Sequence, residues 1–282
     1  QEAITRGLKA LDKRQGYRGP LAQVGAEPEQ DRFVAEYREH LGLAGTGALT
    51  PVRGKRYLAV VTDVDDETQV ARLDVAGLRG ILPLAGLRWA RKPDPTERVD
   101  LHFVTEISAV LSPGDVISVA HVTREDLARD AHGSELIARV PKEGALFVLD
   151  QEPIAQAALM SVDPQSGYVT AQIGGYSFAS SSYNRAVQAC REPGSAFKPI
   201  VYSAAIDKLG FTASTMIDDK PLVFDDPDNA SRWKPDNAGE EFRGRLPLRT
   251  CVKDSINTPA IRDAEAVGIE AVLENARALG LT

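Results

Sequence analysis

The sequence predicts an α+β domain preceded by a small all-β barrel. Five short β-rich runs, 57–64, 68–73, 80–83, 101–107 and 116–122, are separated by turn residues such as Asp65-Asp66, Gly77 and Ser112-Pro113-Gly114-Asp115. From residue 144 the pattern changes. Apolar runs at 145–149 and 157–162, a turn at 163–167 and a returning run at 168–173 precede Gly174-Gly175 and a helical run from Ser195. Strands followed by a helix within one segment fit a sheet backed by helices. A length of 282 residues suits two domains, and 43% apolar content suffices for a core.

Taken in order, residues 1–50 read as a helical connector. Ala3, Ile4, Leu8 and Leu11 predict a helix over 2–14, which Gly16-Tyr17-Arg18-Gly19-Pro20 ends; a second fits 28–41, and 42–50 is a Gly/Ala/Thr-rich linker. Residues 51–143 hold the five runs, whose number and spacing fit a barrel of the OB type. Such barrels bind nucleic acid through aromatic platforms interleaved with basic residues. Here Tyr57, Trp89 and Phe103 are far apart and mixed with Asp63, Asp65, Asp66 and Glu67, and the net charge is −7, so no nucleic-acid partner is expected. The basic cluster Arg88, Arg91 and Lys92 reads as a solvated loop. No apolar run is long enough to cross a bilayer and no signal-peptide pattern opens the chain. His40, His102, His121 and His132 show no ligand spacing, and Asp225, Asp226 and Asp228 lack the Gly and terminal Glu of a calcium loop, so no metal or cofactor is expected.

Residues 144–282 carry the chemistry. Gly194 frees the backbone for a sharp entry, and Ser195 opens an apolar run through Ile200, Val201, Tyr202, Ala204 and Ala205, with Pro199 in the first turn. Ser195 and Lys198 thus fall on one face. A serine hydroxyl becomes a nucleophile when a base takes its proton, and a lysine serves if its pKa is lowered enough to leave it neutral. Ser-x-x-Lys alone is a weak signal. Sixty residues on, Ser255-Ile256-Asn257 supplies a Ser-x-Asn element, and the two in this order form a known catalytic pair. The polar, Pro/Asp-rich stretch 218–244 reads as an ordered loop.

Around these motifs the chain resembles the class A penicillin-binding proteins. The resemblance runs through Ile173-Gly174-Gly175-Tyr176, Tyr183-Asn184-Arg185-Ala186 and Pro193-Gly194-Ser195-Ala196-Phe197-Lys198-Pro199, then Trp233-Lys234-Pro235-Asp236-Asn237, Leu248-Arg249 and Ser255-Ile256-Asn257. Near the start, Gln15-Gly16-Tyr17-Arg18-Gly19-Pro20 is similar to the segment that follows the membrane anchor and glycosyltransferase domain in that family. The resemblance implies a transpeptidase/serine β-lactamase-like fold over 144–282 and an OB-like insert over 51–143. It implies Ser195, Lys198, Ser255 and Asn257 as catalytic residues, and Gly194, Trp233 and Asn237 at the substrate. The expected reaction is acyl transfer from D-Ala-D-Ala stem peptides of peptidoglycan, with β-lactams as substrate mimics. It also implies a periplasmic site on the bacterial inner membrane, held by an anchor upstream of Gln1. The OB-like domain is expected either to dock another wall-building protein or to space the catalytic domain from the membrane. Glycosyltransferase activity is implied for the full-length family protein only.

The family's third motif, Lys-Thr-Gly or Lys-Ser-Gly, occurs nowhere in the 282 residues, so the chain is expected to be a fragment. Cys190 and Cys251 read as two buried thiols, with a disulfide beside the site as the alternative in an oxidising periplasm. Two other functions compete: a β-lactamase-like enzyme or β-lactam sensor, and a non-catalytic interaction module in which Ser195 and Lys198 only cap a helix.

Overall fold

Helix α1 (Glu2–Gln15) carries Glu2 in its first turn and Lys13 and Arg14 in its last, charges that complement its dipole, and it stops at Gly16, whose φ is +100°. The computed structural model describes residues 1–43, 47–96, 102–129, 140–141, 144–225 and 232–281; His132, Asp226 and Asp228 lie outside them. The chain divides into two units, 1–189 and 190–282.

In the first unit, strand β1 (Ala22–Gln23) and helix α2 (Glu27–His40), with a proline in its first turn, precede the barrel. Strands β2 (Arg56–Asp65), β3 (Val70–Val75) and β4 (Leu78–Pro83) form an antiparallel meander. Strand β5 (Asp115–His121) pairs antiparallel with β2. After helix α3 (Arg124–Ala128), strand β6 (Ala145–Leu149) runs parallel to β4 and antiparallel to β5. The order β5-β2-β3-β4-β6 returns to β5, so five strands close into a barrel, and β1 adds to the sheet by pairing antiparallel with the start of β5. Strand 145–149, which the sequence places at the head of the second pattern, therefore completes the barrel.

Alternation along the strands sends Tyr57, Ala59, Val61, Leu73, Val75, Ile117, Val119, Phe147 and Leu149 into one core. Tyr57 is 2% exposed and meets Phe147 edge-on at 6.4 Å, so it packs the core instead of forming a surface platform. The strand expected over 101–107 does not form: residues 102–106 carry no regular structure and Ile107–Ala109 make a 3-10 turn. The reason lies in the β2–β3 loop, where Asp66 Oδ1 accepts Ile107 N at 2.7 Å and Ser108 N at 3.2 Å. Backbone donors taken by a carboxylate are lost to a ladder. Ile107 and Leu111 then plug the core as side chains.

Asp150, 5% exposed, follows β6 and pairs with Lys9 at 2.7 Å and Arg56 at 3.1 Å, while Arg56 also reaches Glu152 and donates to Tyr176 Oη at 3.0 Å. Strands β7 (Leu159–Val162) and β8 (Val169–Ile173) form the expected hairpin, turned by Asp163 and by Gly167 at φ +72°.

In the second unit, a 3-10 turn (Gly194–Phe197) runs into helix α4 (Lys198–Leu209), which ends at left-handed Gly210. Strand β9 (Met216–Asp219), the short pair β10 (Phe224–Asp225) and β11 (Arg232–Trp233), and strand β12 (Gly244–Pro247), which pairs with β9, give structure to the 218–244 stretch. Helices α5 (Leu248–Lys253), α6 (Asn257–Val267) and α7 (Ile269–Ala278) follow. Tyr202 of α4 packs with Ile217, Leu248, Cys251 and Ala260; Val201 and Ala204 pack with Val272. Cys251 is buried, whereas Cys190 is exposed, and both are free thiols. The expectation of two buried thiols thus holds for Cys251 alone, because Cys190 precedes α4 on an exposed stretch.

Candidate active site

The site is built on the start of α4 and on the junction of α5 and α6. Gly194 takes φ +52° with open space where a β-carbon would stand, so its role is backbone freedom. The turn it opens has three residues per revolution, which lines residue i up with i+3. Ser195 and Lys198 therefore share a side, and Lys198 N donates to Ser195 O. Ser195 is exposed, and among the described residues no side chain hydrogen-bonds its hydroxyl.

Lys198 Nζ donates to Ser255 O at 2.5 Å, to Asn257 Oδ1 at 2.6 Å and to Ser255 Oγ at 3.1 Å. Three of the four expected catalytic residues thus meet at one nitrogen. All three acceptors are neutral, and among the described residues no carboxylate pairs with Lys198. Burial lowers its pKa from the ordinary lysine value, and no neighbouring anion opposes that shift. Asp254, beside the site in sequence, is engaged by Arg243 Nη1 at 2.6 Å and Lys253 Nζ at 3.8 Å.

The Ser255 backbone is folded to present that hydroxyl. Helix α5 ends with Ser255 N donating to Val252 O at 3.2 Å and Ile256 N to Cys251 O at 3.1 Å, the two bonds of a Schellman cap. Ser255 stands at the left-handed position of that cap, φ +53°, where glycine is the usual occupant. Asn257 is oriented by donating Nδ2 to Asp236 O at 2.7 Å, which turns Oδ1 toward the lysine.

Asn237, placed at the substrate by the sequence reading, has both ends of its amide engaged within the protein. Its Nδ2 donates to Asp219 Oδ1 at 2.8 Å and Glu241 O at 2.9 Å, and its Oδ1 accepts Asn257 N at 3.0 Å and Thr258 N at 3.3 Å. It caps α6. Trp233 is 56% exposed, stacks on Phe224 at 5.2 Å, and joins Gly194, Phe197, Lys198, Asn257 and Ile261 around a groove of about 440 Å³.

Two residues of this network were not singled out in the sequence, Asp219 and Thr258, both 0% exposed and joined by Thr258 Oγ1 donating to Asp219 Oδ1 at 2.5 Å. The signal for Asp219 was the alternation of β9, which turns Ile217 and Asp219 inward while Met216 faces out. Burial tends to raise the Asp219 pKa. Hydrogen bonds from Thr258, Asn237 and Arg243 N, with the Arg243 charge, outweigh it and hold the carboxyl below its ordinary value.

Family models match the chain in two adjoining blocks, the penicillin-binding protein OB-like domain over residues 17–155 and the penicillin-binding protein transpeptidase domain over 157–282. Relatives named penicillin-binding protein 1A include those of Pseudomonas aeruginosa, 34% identical over 95% of this chain, and Escherichia coli (strain K12), 30% identical over 99%. The chain spans 29% of the length of each of these two relatives. The crystal structure of penicillin-binding protein 1A from Haemophilus influenzae superposes with a TM-score of 0.70 at 26% identity, covering 100% of this chain and 35% of that one. The two blocks carry the OB-like barrel and the α+β transpeptidase fold, and with them the chain belongs to the penicillin-binding protein family.

Proposed function

We propose that the polypeptide carrying this chain is a peptidoglycan D,D-transpeptidase that works through a Ser195 acyl-enzyme. The observation that supports this most is Lys198 Nζ, held by Ser255 and Asn257 with neutral acceptors only, on the side of the turn that carries Ser195. Ser195 Oγ attacks the carbonyl between the last two D-alanines of a stem peptide, and its proton passes to the neutral amine of Lys198. Ser255, whose hydroxyl both donates and accepts, returns a proton to the departing nitrogen as the C–N bond breaks, and D-alanine leaves. An amine of a second stem peptide then takes the acyl group; water in its place gives a carboxypeptidase.

Gly194 and Trp233 line one groove with Lys198, which serves as the substrate groove, while Asn237 supports the start of α6. The barrel serves as a docking element for another wall-building protein. The boundary between barrel and transpeptidase domain falls after β6, which supports a division at 150–156 over one at 144. The reaction takes place on the periplasmic side of a bacterial inner membrane, where stem peptides are cross-linked. Among the described residues no helix is long and apolar enough to cross a membrane. Glycosyltransferase activity, implied for the full-length family protein, has no residue assigned in this chain.

The test is intact mass of the full-length protein after benzylpenicillin. One adduct on the Ser195 peptide is expected, lost in Ser195→Ala and formed about 10²–10⁴-fold more slowly in Lys198→Ala. A long-lived adduct separates a transpeptidase from a β-lactamase. Normal labelling of either variant, or no adduct on the wild type, sinks the assignment.

A further inference from the structure

Asp219 lies at the inward end of β9 with no exposed surface, and its two oxygens collect donors from two segments, the β11–β12 connection and the start of α6. Oδ1 accepts Thr258 Oγ1 at 2.5 Å and Asn237 Nδ2 at 2.8 Å; Oδ2 accepts Arg243 N at 2.8 Å. A buried carboxylate bonded only to neutral donors costs free energy unless each bond is well placed, so those segments are held in fixed register. The consequence runs toward the lysine. Asn237, oriented by Asp219, turns Oδ1 to the first N–H groups of α6, those of Asn257 and Thr258. Asn257, at the start of that helix, presents its own Oδ1 to Lys198 Nζ.

We infer that Asp219, acting through Thr258 and Asn237, is the positioning residue that sets the Asn257 amide oxygen against Lys198 Nζ. This rests on the reading of Ser195 and Lys198 as nucleophile and base. Asp219 touches neither of them. It fixes the first turn of α6 from behind, and Thr258 is the rigid link, because its hydroxyl bonds Asp219 while its backbone follows directly on Asn257. Charged groups facing this assembly include Arg243, whose backbone N–H bonds Asp219 and whose guanidinium holds Asp254; Lys253, which also faces Asp254; and Asp236, whose carboxylate accepts Asn237 N and which lines the groove with Lys198 and Asn257.

Acylation of the full-length protein by benzylpenicillin, followed from pH 5 to 10, tests the inference with Thr258→Val, Thr258→Ser and Asp219→Asn. Small misplacements of a reacting group cost up to about 100-fold. Thr258→Val is therefore expected to slow acylation by about 10- to 100-fold, with non-covalent affinity changed less than about threefold. The rising limb of its pH profile should move to higher pH, because a lysine released toward water regains its ordinary basicity. Thr258→Ser, which keeps the hydroxyl, should stay within about threefold of wild type, and Asp219→Asn should be slower than Thr258→Val. Should Asp219→Asn fail to fold, the valine and serine variants decide alone. Acylation of Thr258→Val at the wild-type rate, or an equal fall at every pH, overturns the inference while leaving Ser195 as nucleophile. No adduct on the wild type overturns that reading and the inference with it.

Discussion

Ser255 occupies a backbone conformation that suits glycine. At φ +53° it closes the cap of α5, and a side chain there costs on the order of 1 kcal/mol. The hydroxyl gained by that strain lies 3.1 Å from Lys198 Nζ. Ser255→Gly is therefore expected to raise stability by about 0.5–1 kcal/mol, seen as a higher unfolding temperature, while penicillin acylation slows by about tenfold or more. Ser255→Ala should slow acylation likewise without stabilising, since alanine keeps the β-carbon. A glycine variant no more stable than the alanine one would show that the conformation carries no strain.

At the scale of the element, β4 and β6 show how a glycine makes room for a ring. A β-carbon at Gly80 would stand 2.8 Å from two ring carbons of Phe147, which is 0% exposed. Glycine inside a strand here marks a close approach. Gly80→Ala should cost about 1–3 kcal/mol through overpacking, and Phe147→Ala about 3–5 kcal/mol through the cavity left. Denaturant unfolding with an unchanged slope is the check, and a neutral Gly80→Ala would mean that the ring moves freely. Strands β2, β3, β4 and β5 were legible because each carries its own alternation between turn residues. The run 101–107 carried the same composition but lost its ladder donors to Asp66, a partner about forty residues away that no local pattern reveals.

At the scale of the whole molecule, Asp263 makes stability depend on pH. It is 2% exposed, its Oδ2 has no partner among the described residues, and burial pushes its pKa up to about 6. An unfolded aspartate titrates near 3.9. Below about pH 4 both states hold the proton and the contribution is intact; as pH rises to about 6 the unfolded chain ionises first, so about 2–3 kcal/mol of stability is lost. Asp219 works in the opposite sense, because its folded pKa is lowered and its contribution fades as pH falls through that lower value. Asp263→Asn should accordingly stabilise the protein at pH 8 relative to wild type and have little effect at pH 4. Equal differences at the two pH values would show that Asp263 ionises alike in both states.

The sequence by itself determined what depends on neighbours along the chain: helices α1 and α2, the barrel meander, the turn at Gly194, and the one-turn spacing of Ser195 and Lys198. The Ser-x-x-Lys and Ser-x-Asn motifs pointed to the proposed reacting groups because each motif is read within a single turn of chain. Only the tertiary structure decided which strand closes the barrel, and that Asp219, Asn237 and Thr258 stand behind the lysine. Those arrangements rest on hydrogen bonds spanning 18 to 39 residues, and on a strand pairing of Gly80 with Ala145. Bonds of that reach follow from burial and from where the backbone passes, which no periodicity in the chain records.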